Sequence, residues 1–309
     1  MRSYVVVKGG GVGGLAWSAD GRYLAEARWG PVIAIREVAT GAVVQRWDET
    51  RAVRKAGFAA LAFGPDGALY AHFGRQVMRY REAVRTKLFG YKAAGAGERP
   101  GRLQVAMDGS ILLTSDGHGM DLVSGKRLPR TTEPSWTVDA MRLVGVALAP
   151  GRERYAAAWD VDDRRFHSMA LGMVEARTGV CEFWLTQGEG PPPDQLWFGG
   201  EGRWVVAVKN YPREERRRVS MFRMNGETRV TELADGGMGE VAFSPDGGRM
   251  FAGAGRGVVV YEVGADGRWA AARRVELPFG GVTCLAVAPD GAWVAVGSSE
   301  GQVAVVEVG

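Results

Sequence analysis

The chain has 309 residues, of which 46% are hydrophobic and 24% charged, so it is neither a disordered nor a low-complexity protein. Its net charge is only +4 and its acidic residues are interspersed with the basic ones, which argues against a dedicated nucleic-acid binder. We expect a cytoplasmic bacterial protein, because Arg far outnumbers Lys and neither an export signal nor an apolar run of about 18 residues is found.

A seven-residue motif recurs along the whole chain. The clearest copies are LAWSADG (15–21), LAFGPDG (61–67), VAFSPDG (241–247) and LAVAPDG (285–291), and fainter copies begin near residues 103, 146 and 196. From Gly21 to Gly291 the six intervals average 45 residues. Self-similarity at this period is typical of four-stranded propeller blades. The sequence therefore predicts an all-β fold, a single seven-bladed β-propeller that spans residues 1–309.

Each repeat predicts four short antiparallel strands, a to d, with tight turns between them. The sixth repeat is the clearest, with strands EVAFS, RMFAGAG, GVVVYEV and RWAAARRVEL and the turns PDGG and GADG. Strand a alternates a small residue with a large one, and we expect the small residues to accommodate a neighbouring blade. The residues in the small position are Ala16, Ala62, Gln104, Ala147, Trp197, Ala242 and Ala286.

The two ends of the chain complement each other. The last repeat ends at GQVAVVEVG (301–309), which provides only a strand c. The segment SYVVVKG (3–9) is a candidate for the missing strand d. Such pairing would close the ring and remove the exposed sheet edges of an open array.

These motifs resemble those of the WD40-repeat propellers over essentially the whole chain. The resemblance rests on the strand-a motif and on strand c followed by Thr-Gly, as in VIAIREVATG (32–41) and LGMVEARTG (171–179). The family's Gly-His pair is missing, and other residues replace its Trp-Asp pair. These are Arg36-Glu37, Val174-Glu175, Phe222-Arg223, Tyr261-Glu262 and Val306-Glu307. The family's His–Asp network is therefore expected to be absent, so the blades must rely on packing and turn chemistry.

No motif predicts catalysis, a metal or a cofactor. The loop GGGVGG (9–14) has no helix after it and is interpreted as a plain flexible loop. The segment DVDDRRF (160–166) lacks the Gly and Glu of a calcium loop and is interpreted as a charged hairpin. The histidines are too scattered for a metal triad, and the cysteines lie in apolar stretches. These residues are His72, His118, His167, Cys181 and Cys284.

The repeats are enlarged at two adjacent places. Insertions at 160–168 and 210–218 fall in the b–c connections of blades 4 and 5, and the preceding d–a loops (131–141 and 186–195) are also long. In a propeller these connections lie on one face, the top, so we expect the insertions to stand side by side. Neutral drift of surface loops is the alternative. The candidate binding residues are Trp136, Asp160, Asp162, Arg164, Arg165, Arg213, Arg216 and Arg217.

Three functions remain open. The favoured one is a non-catalytic platform that binds a protein or peptide on its top face, without membrane contact and as a monomer in isolation. The second is an enzyme or small-ligand binder that uses the central funnel. The weakest is nucleic-acid binding through Arg213, Arg216, Arg217 and Arg218.

Overall fold

The computed structural model describes residues 2–4, 10–29, 32–49, 60–73, 76–91, 102–129, 140–149, 154–162, 167–189, 193–199, 202–211, 216–223, 227–233 and 240–309. Within these ranges the regular structure is β-strand and no α-helix is present, so no helix there could cross a membrane. The strands form seven separate antiparallel sheets. The all-β, seven-bladed propeller predicted from the sequence is confirmed, and the sheets are numbered here as blades 1 to 7.

The first three blades contain eleven strands. Blade 1 consists of β2 (Val12–Trp17), β3 (Tyr23–Arg28), β4 (Val32–Glu37) and β5 (Val43–Asp48). Blade 2 consists of β6 (Ala60–Phe63), β7 (Leu69–Phe73), β8 (Gln76–Arg81) and β9 (Val84–Gly90). Blade 3 consists of β10 (Leu103–Val105), β11 (Ile111–Thr114) and β12 (Gly119–Asp121).

The remaining blades each have four strands. Blade 4 consists of β13 (Ala140–Leu148), β14 (Arg154–Asp162), β15 (His167–Glu175) and β16 (Cys181–Glu189). Blade 5 consists of β17 (Gln195–Gly199), β18 (Trp204–Tyr211), β19 (Arg216–Arg223) and β20 (Thr228–Leu233). Blade 6 consists of β21 (Val241–Phe243), β22 (Arg249–Ala254), β23 (Gly257–Val263) and β24 (Trp269–Glu276). Blade 7 consists of β25 (Val282–Val287), β26 (Trp293–Ser298), β27 (Val303–Glu307) and β1 (Arg2–Tyr4).

Blade 3 departs from the predicted four strands. Its sheet has three strands among the described residues, and only an isolated bridge between Met120 and Arg127 lies where a fourth would run. Strand β12 is only three residues long and so offers a short edge. Pro129, two residues after the bridge, has no N–H to donate and cannot extend the ladder.

The N-terminal strand completes blade 7, as the sequence predicts. Strand β1 pairs antiparallel with β27, with Arg2 opposite Val305 and Tyr4 opposite Val303. The paired segment covers residues 2–4, and residues 5–9 of the predicted strand lie outside the described residues. This pairing gives β27 a neighbour on each side.

The recurring Asp-Gly turn has the same structure wherever the described residues contain it between strands a and b. Its glycine has a φ between +68° and +75° at Gly21, Gly67, Gly109, Gly247 and Gly291, a range that favours glycine. The aspartate carboxylate accepts the backbone N–H two residues later, as Asp246 does from Gly248 at 3.0 Å. Bonds from Ser244 and Gly248 lower the pKa of Asp246.

A second recurring turn follows strand c, and an acidic side chain stabilises it. Glu175 accepts the backbone N–H groups of Arg177 at 3.2 Å and Thr178 at 2.7 Å. Asp121 does the same for Val123 at 3.0 Å and Ser124 at 2.8 Å. The acidic residue that stands near the family's Trp-Asp position thus satisfies turn N–H groups that would otherwise rely on water.

The chain packs as two compact units. One comprises Met1–Leu103, Met238–Glu262 and Ala270–Gly309, and the other comprises Gln104–Gly237 and Val263–Trp269. In the first unit, blade 1 shares one apolar cluster with blade 2 and another with blade 7. In the second, blade 4 shares one with blade 3 and another with blade 5.

Polar links between neighbouring blades differ from one pair to the next. Between blades 1 and 2, buried Glu49 accepts bonds from the Tyr80 hydroxyl at 2.9 Å and from Arg85 at 2.8 Å. Between blades 1 and 7, the Trp17 indole donates to the Ala286 carbonyl at 3.0 Å. The Gln104 side chain donates to the Val146 carbonyl at 3.1 Å across blades 3 and 4. Gln104 therefore replaces the small residue of its repeat with a hydrogen-bonded joint.

Candidate binding site

The two insertions lengthen β-hairpins rather than forming loops. Strand β14 pairs with β15 as far as Asp162 opposite His167, and β18 pairs with β19 as far as Tyr211 opposite Arg216. The expectation that all of 160–168 and 210–218 is connection is therefore wrong, because both strands continue as regular ladders. The connections that remain, 163–166 and 212–215, lie outside the described residues, as do Trp136, Arg164, Arg165 and Arg213.

One face of blade 4 is directed toward blade 5. Ala156 and Ala158 of β14 belong to the apolar cluster that the two blades share. Since alternate residues of a strand point to the same side, Asp160 continues this face beyond the core. Its side chain is half-buried. Asp162 ends the strand two residues farther on.

The opposing face of blade 5 is basic where it leaves the core. Ala207 of β18 belongs to the same apolar cluster, and Lys209 and Tyr211 follow it on that face. Arg218 of β19 lies opposite Lys209 in the ladder. Arg216 lies opposite Tyr211. All four of these side chains are half-buried.

The two faces meet at matching levels. Ala158 pairs with Gly145 on one blade, and Ala207 pairs with Leu196 on the other. The Cδ1 of Leu196 lies 3.7 Å from the position of a Cβ built on Gly145. The first strands of adjacent propeller blades run the same way. Asp160, which follows Ala158, and Lys209, which follows Ala207, therefore lie at the same end of the interface between blades 4 and 5.

Glu232 organises the basic side. Arg216 Nη1 lies 2.8 Å from Glu232 Oε2, and Arg218 Nε lies 2.6 Å from Glu232 Oε1. The guanidinium of Arg216 also lies 4.2 Å from the centre of the Tyr211 ring, a cation–π contact. Partial burial acts to raise the pKa of Glu232, but bonds from Arg218 and Arg216 hold it below its usual value. One carboxylate thus orients two arginines.

Arg217 is not part of this surface. It is fully buried, at 0% exposure, in contrast to the exposed position expected from the sequence. The reason is strand alternation: Arg216 and Arg218 share one side of β19, and Arg217 shares the other with buried Val219 and Met221.

We define the polar ridge as Asp160, Lys209, Tyr211, Arg216, Arg218 and Glu232. Of the predicted candidates, the structure brings Asp160 and Arg216 into it. Reasoning from the sequence did not select Lys209, Tyr211 and Glu232. The period-2 spacing of Ala207, Lys209 and Tyr211 was the available signal, but using it requires the ladder register.

Residues that could support other chemistry are engaged in structural roles. The Nε2 of buried His72 lies 2.5 Å from the Tyr91 hydroxyl. Burial, followed by the charge of Glu240, raises the pKa of the Cys284 thiol far above its usual value, which disfavours the nucleophilic thiolate. Among the described residues no group of three or more His, Cys, Asp or Glu side chains is placed to hold a metal ion.

The glycine-rich loop is tightly packed where it is described, in contrast to the flexible loop expected from the sequence. A Cβ on Gly10 would lie 2.3 Å from the Trp29 carbonyl oxygen. A Cβ on Gly11 would lie 2.5 Å from the Ser299 carbonyl oxygen. These glycines allow close backbone approach between strand ends of blades 1 and 7, which accounts for them without a phosphate.

Comparison with known proteins finds a family match, over a short segment, and a chain of similar fold. The family model described as "WD domain, G-beta repeat" matches residues 277–306. A chain from a structure titled Kuenenia stuttgartiensis hydrazine synthase is similar over 99% of this chain and 97% of its own length, with a TM-score of 0.70 and 14% identity. At that identity the likeness concerns the fold alone. No curated protein matches the sequence. The family match and the seven antiparallel blades together support a WD40-type β-propeller.

Proposed function

We propose that this protein is a non-catalytic platform that binds a protein or peptide partner at the polar ridge. The observation that carries the proposal is the convergence of two extended hairpins, which add charged residues to both sides of one interface between blades. WD40-type propellers commonly mediate protein interactions, which makes this function the natural one to test first.

The charge pattern favours a protein partner over a nucleic acid. Arg216 and Arg218 are both bound to Glu232, and Lys209 is bound to Asp194 at 2.9 Å. Buried Arg217 offers no contact to a phosphate backbone. Mixed charge around an aromatic ring suits a protein surface, whereas phosphate recognition needs a basic excess.

We do not propose catalysis. Burial raises the pKa of the Cys284 thiol, the described residues contain no cluster of metal ligands, and the hydrazine synthase chain is similar to this chain only in its fold. Trp136 remains our candidate anchor for the partner, because tryptophan carries a large share of the energy in many interfaces.

Affinity purification from the native cell tests the proposal. Wild type, Arg218→Glu and the control Arg46→Glu should be compared by quantitative mass spectrometry. Arg46 pairs with Asp48 on the outer strand β5, so its substitution makes the same charge change at a distant, exposed site. We expect a partner that is retained by wild type and by Arg46→Glu and lost from Arg218→Glu.

A second variant tests the aromatic anchor. Once a partner is identified, Trp136→Ala should weaken binding by about 2 kcal/mol or more, as measured by calorimetry. A partner that binds Arg218→Glu and Trp136→Ala as tightly as wild type would refute the ridge. Binding that is abolished by nuclease, with a steep salt dependence, would instead indicate a nucleic acid.

A further inference from the structure

Three apolar side chains are strongly exposed at the opposite end of blades 3 and 4, away from the polar ridge. Met107 lies in the turn between β10 and β11, and it is 75% exposed. Val123 lies in the turn after β12 and is 81% exposed. Val180 lies in the turn between β15 and β16 and is 52% exposed. All three belong to the second compact unit. We call them the turn patch.

Hydrogen bonds hold these turns beside one another. The Leu122 N–H donates to the Ser110 carbonyl at 2.8 Å, which joins the two turns of blade 3. Arg177, in the same turn as Val180, forms an ion pair with Asp121, the residue at which the turn that contains Val123 begins. The Asp121 carboxylate also accepts two N–H groups of its own turn. The patch therefore rests on a connected and hydrogen-bonded base, which lowers the entropy cost of binding.

The size of the patch argues for a small occupant. Three side chains of this size expose on the order of 300–400 Å², comparable to the largest apolar patch of a typical monomer, which is often functional. A stable dimer of this chain would require roughly 800 Å² on each copy. The turn patch alone is too small for a second copy but large enough for a short peptide.

The charges around the patch favour an acidic segment. Asp108 is already engaged, because its carboxylate accepts the Ser110 N–H at 2.9 Å and hydroxyl at 2.7 Å. The charges of Arg177 and Asp121 neutralise each other in their ion pair. Lys126, at the end of the Val123 turn, is exposed and makes no ion pair with any residue that the structure describes. Its ammonium group remains available to a carboxylate.

We propose that the turn patch binds a short linear segment of a partner protein. Apolar side chains of this segment contact Met107, Val123 and Val180, and one of its carboxylates pairs with Lys126. This surface is separate from the polar ridge and does not depend on it. Binding of the segment buries the exposed side chains of the turn patch, and the ion pair with Lys126 sets the orientation of the segment.

A phage-displayed library of random short peptides, selected on the full chain, supplies the probe. Selected peptides should combine apolar residues with Asp or Glu. By fluorescence anisotropy, Val123→Glu should weaken their binding by about tenfold or more, because it places a charge in the apolar contact. Lys126→Glu should weaken it by about threefold, as expected for an exposed ion pair. Val84→Glu is the matched control, since Val84 is an exposed valine on β9 at 62% exposure.

The outcomes separate the alternatives. All three variants change exposed positions and should melt as wild type does, which thermal unfolding checks. The proposal is overturned if no peptide is enriched, or if the enriched peptides bind Val123→Glu and wild type equally. It is also overturned if light scattering shows a dimer that Val123→Glu dissociates, because a second copy would then cover the patch. Arg218→Glu should leave peptide binding unchanged, so failure here and failure of the ridge are distinguishable.

Discussion

Substitution of Ala242 by leucine tests the packing between blades. Ala242 lies in β21 with 2% of its surface exposed, opposite the fully buried Phe251 of β22. Leucine adds three carbon atoms where no route to solvent remains. Overpacking of this kind costs about 1–3 kcal/mol. Ala271→Leu on the exposed face of β24 in the same sheet adds the same atoms without a clash and is the control.

The cost converts into a measurable shift. An unfolding entropy of about 2.1 cal/mol/K per residue gives about 650 cal/mol/K for 309 residues, so the melting temperature should fall by about 2–5 °C. Circular dichroism melts and guanidinium titrations of the two variants measure it. If Ala242→Leu unfolds at the same midpoint as Ala271→Leu, the idea that small strand-a residues are required by the neighbouring blade is wrong. Half-buried Trp197 occupies the same position in blade 5, where partial exposure accommodates its size.

Three further predictions concern stability. Removal of residues 1–9 should lower the melting temperature and increase light scattering, because β27 then presents an unpaired edge; an unchanged melt without aggregation would contradict this. Gly11→Ala should be destabilising because its Cβ would meet the Ser299 carbonyl at 2.5 Å, whereas Gly145→Ala, with no atom nearer than 3.7 Å, should be close to neutral in the same urea titration. Hydrogen bonding lowers the folded-state pKa of Asp246 below the ordinary 3.8. The contribution of this carboxylate to the free energy of unfolding is therefore complete above about pH 4 and is lost as the pH falls through the folded-state pKa. Asp246→Asn should therefore show a smaller loss of stability between pH 5 and pH 3 than wild type. Equal losses would argue against a stabilising role of the ionised Asp246 carboxylate.

Local chemistry explains why much of the fold was predictable. The Asp-Gly turns need a positive φ and a carboxylate within two residues, and both requirements are visible in the sequence at Gly67 and Gly247. Alternation of a small residue with a large one likewise marks the first strand of five of the seven repeats. These are short-range constraints, so a repeating pattern of seven residues was enough to identify the blades.

The differences from prediction arise from strand pairing. The insertions of blades 4 and 5 contain many polar residues, yet Asp160 and Arg216 continue regular ladders whose register is set by pairing with neighbouring strands of the same blade. Buried Arg217 could not be distinguished from its half-buried neighbours without that register. Among the described residues blade 3 has three strands, because those between Asp121 and Pro129 form only an isolated bridge, which the repeat count alone does not show.

The varied links between blades have a consequence for the evolution and engineering of this chain. Each joint depends on a residue peculiar to its own pair of neighbours, such as Glu49 or Gln104, while the turns are shared by all. Exchanging one blade for a copy of another would leave the buried Glu49 carboxylate or the half-buried Gln104 amide without its counterpart. The repeats share a common design of strands and turns, but they are not interchangeable modules. The design of a consensus blade would therefore have to include the residues at its interfaces with the neighbouring blades as well as those of its strands.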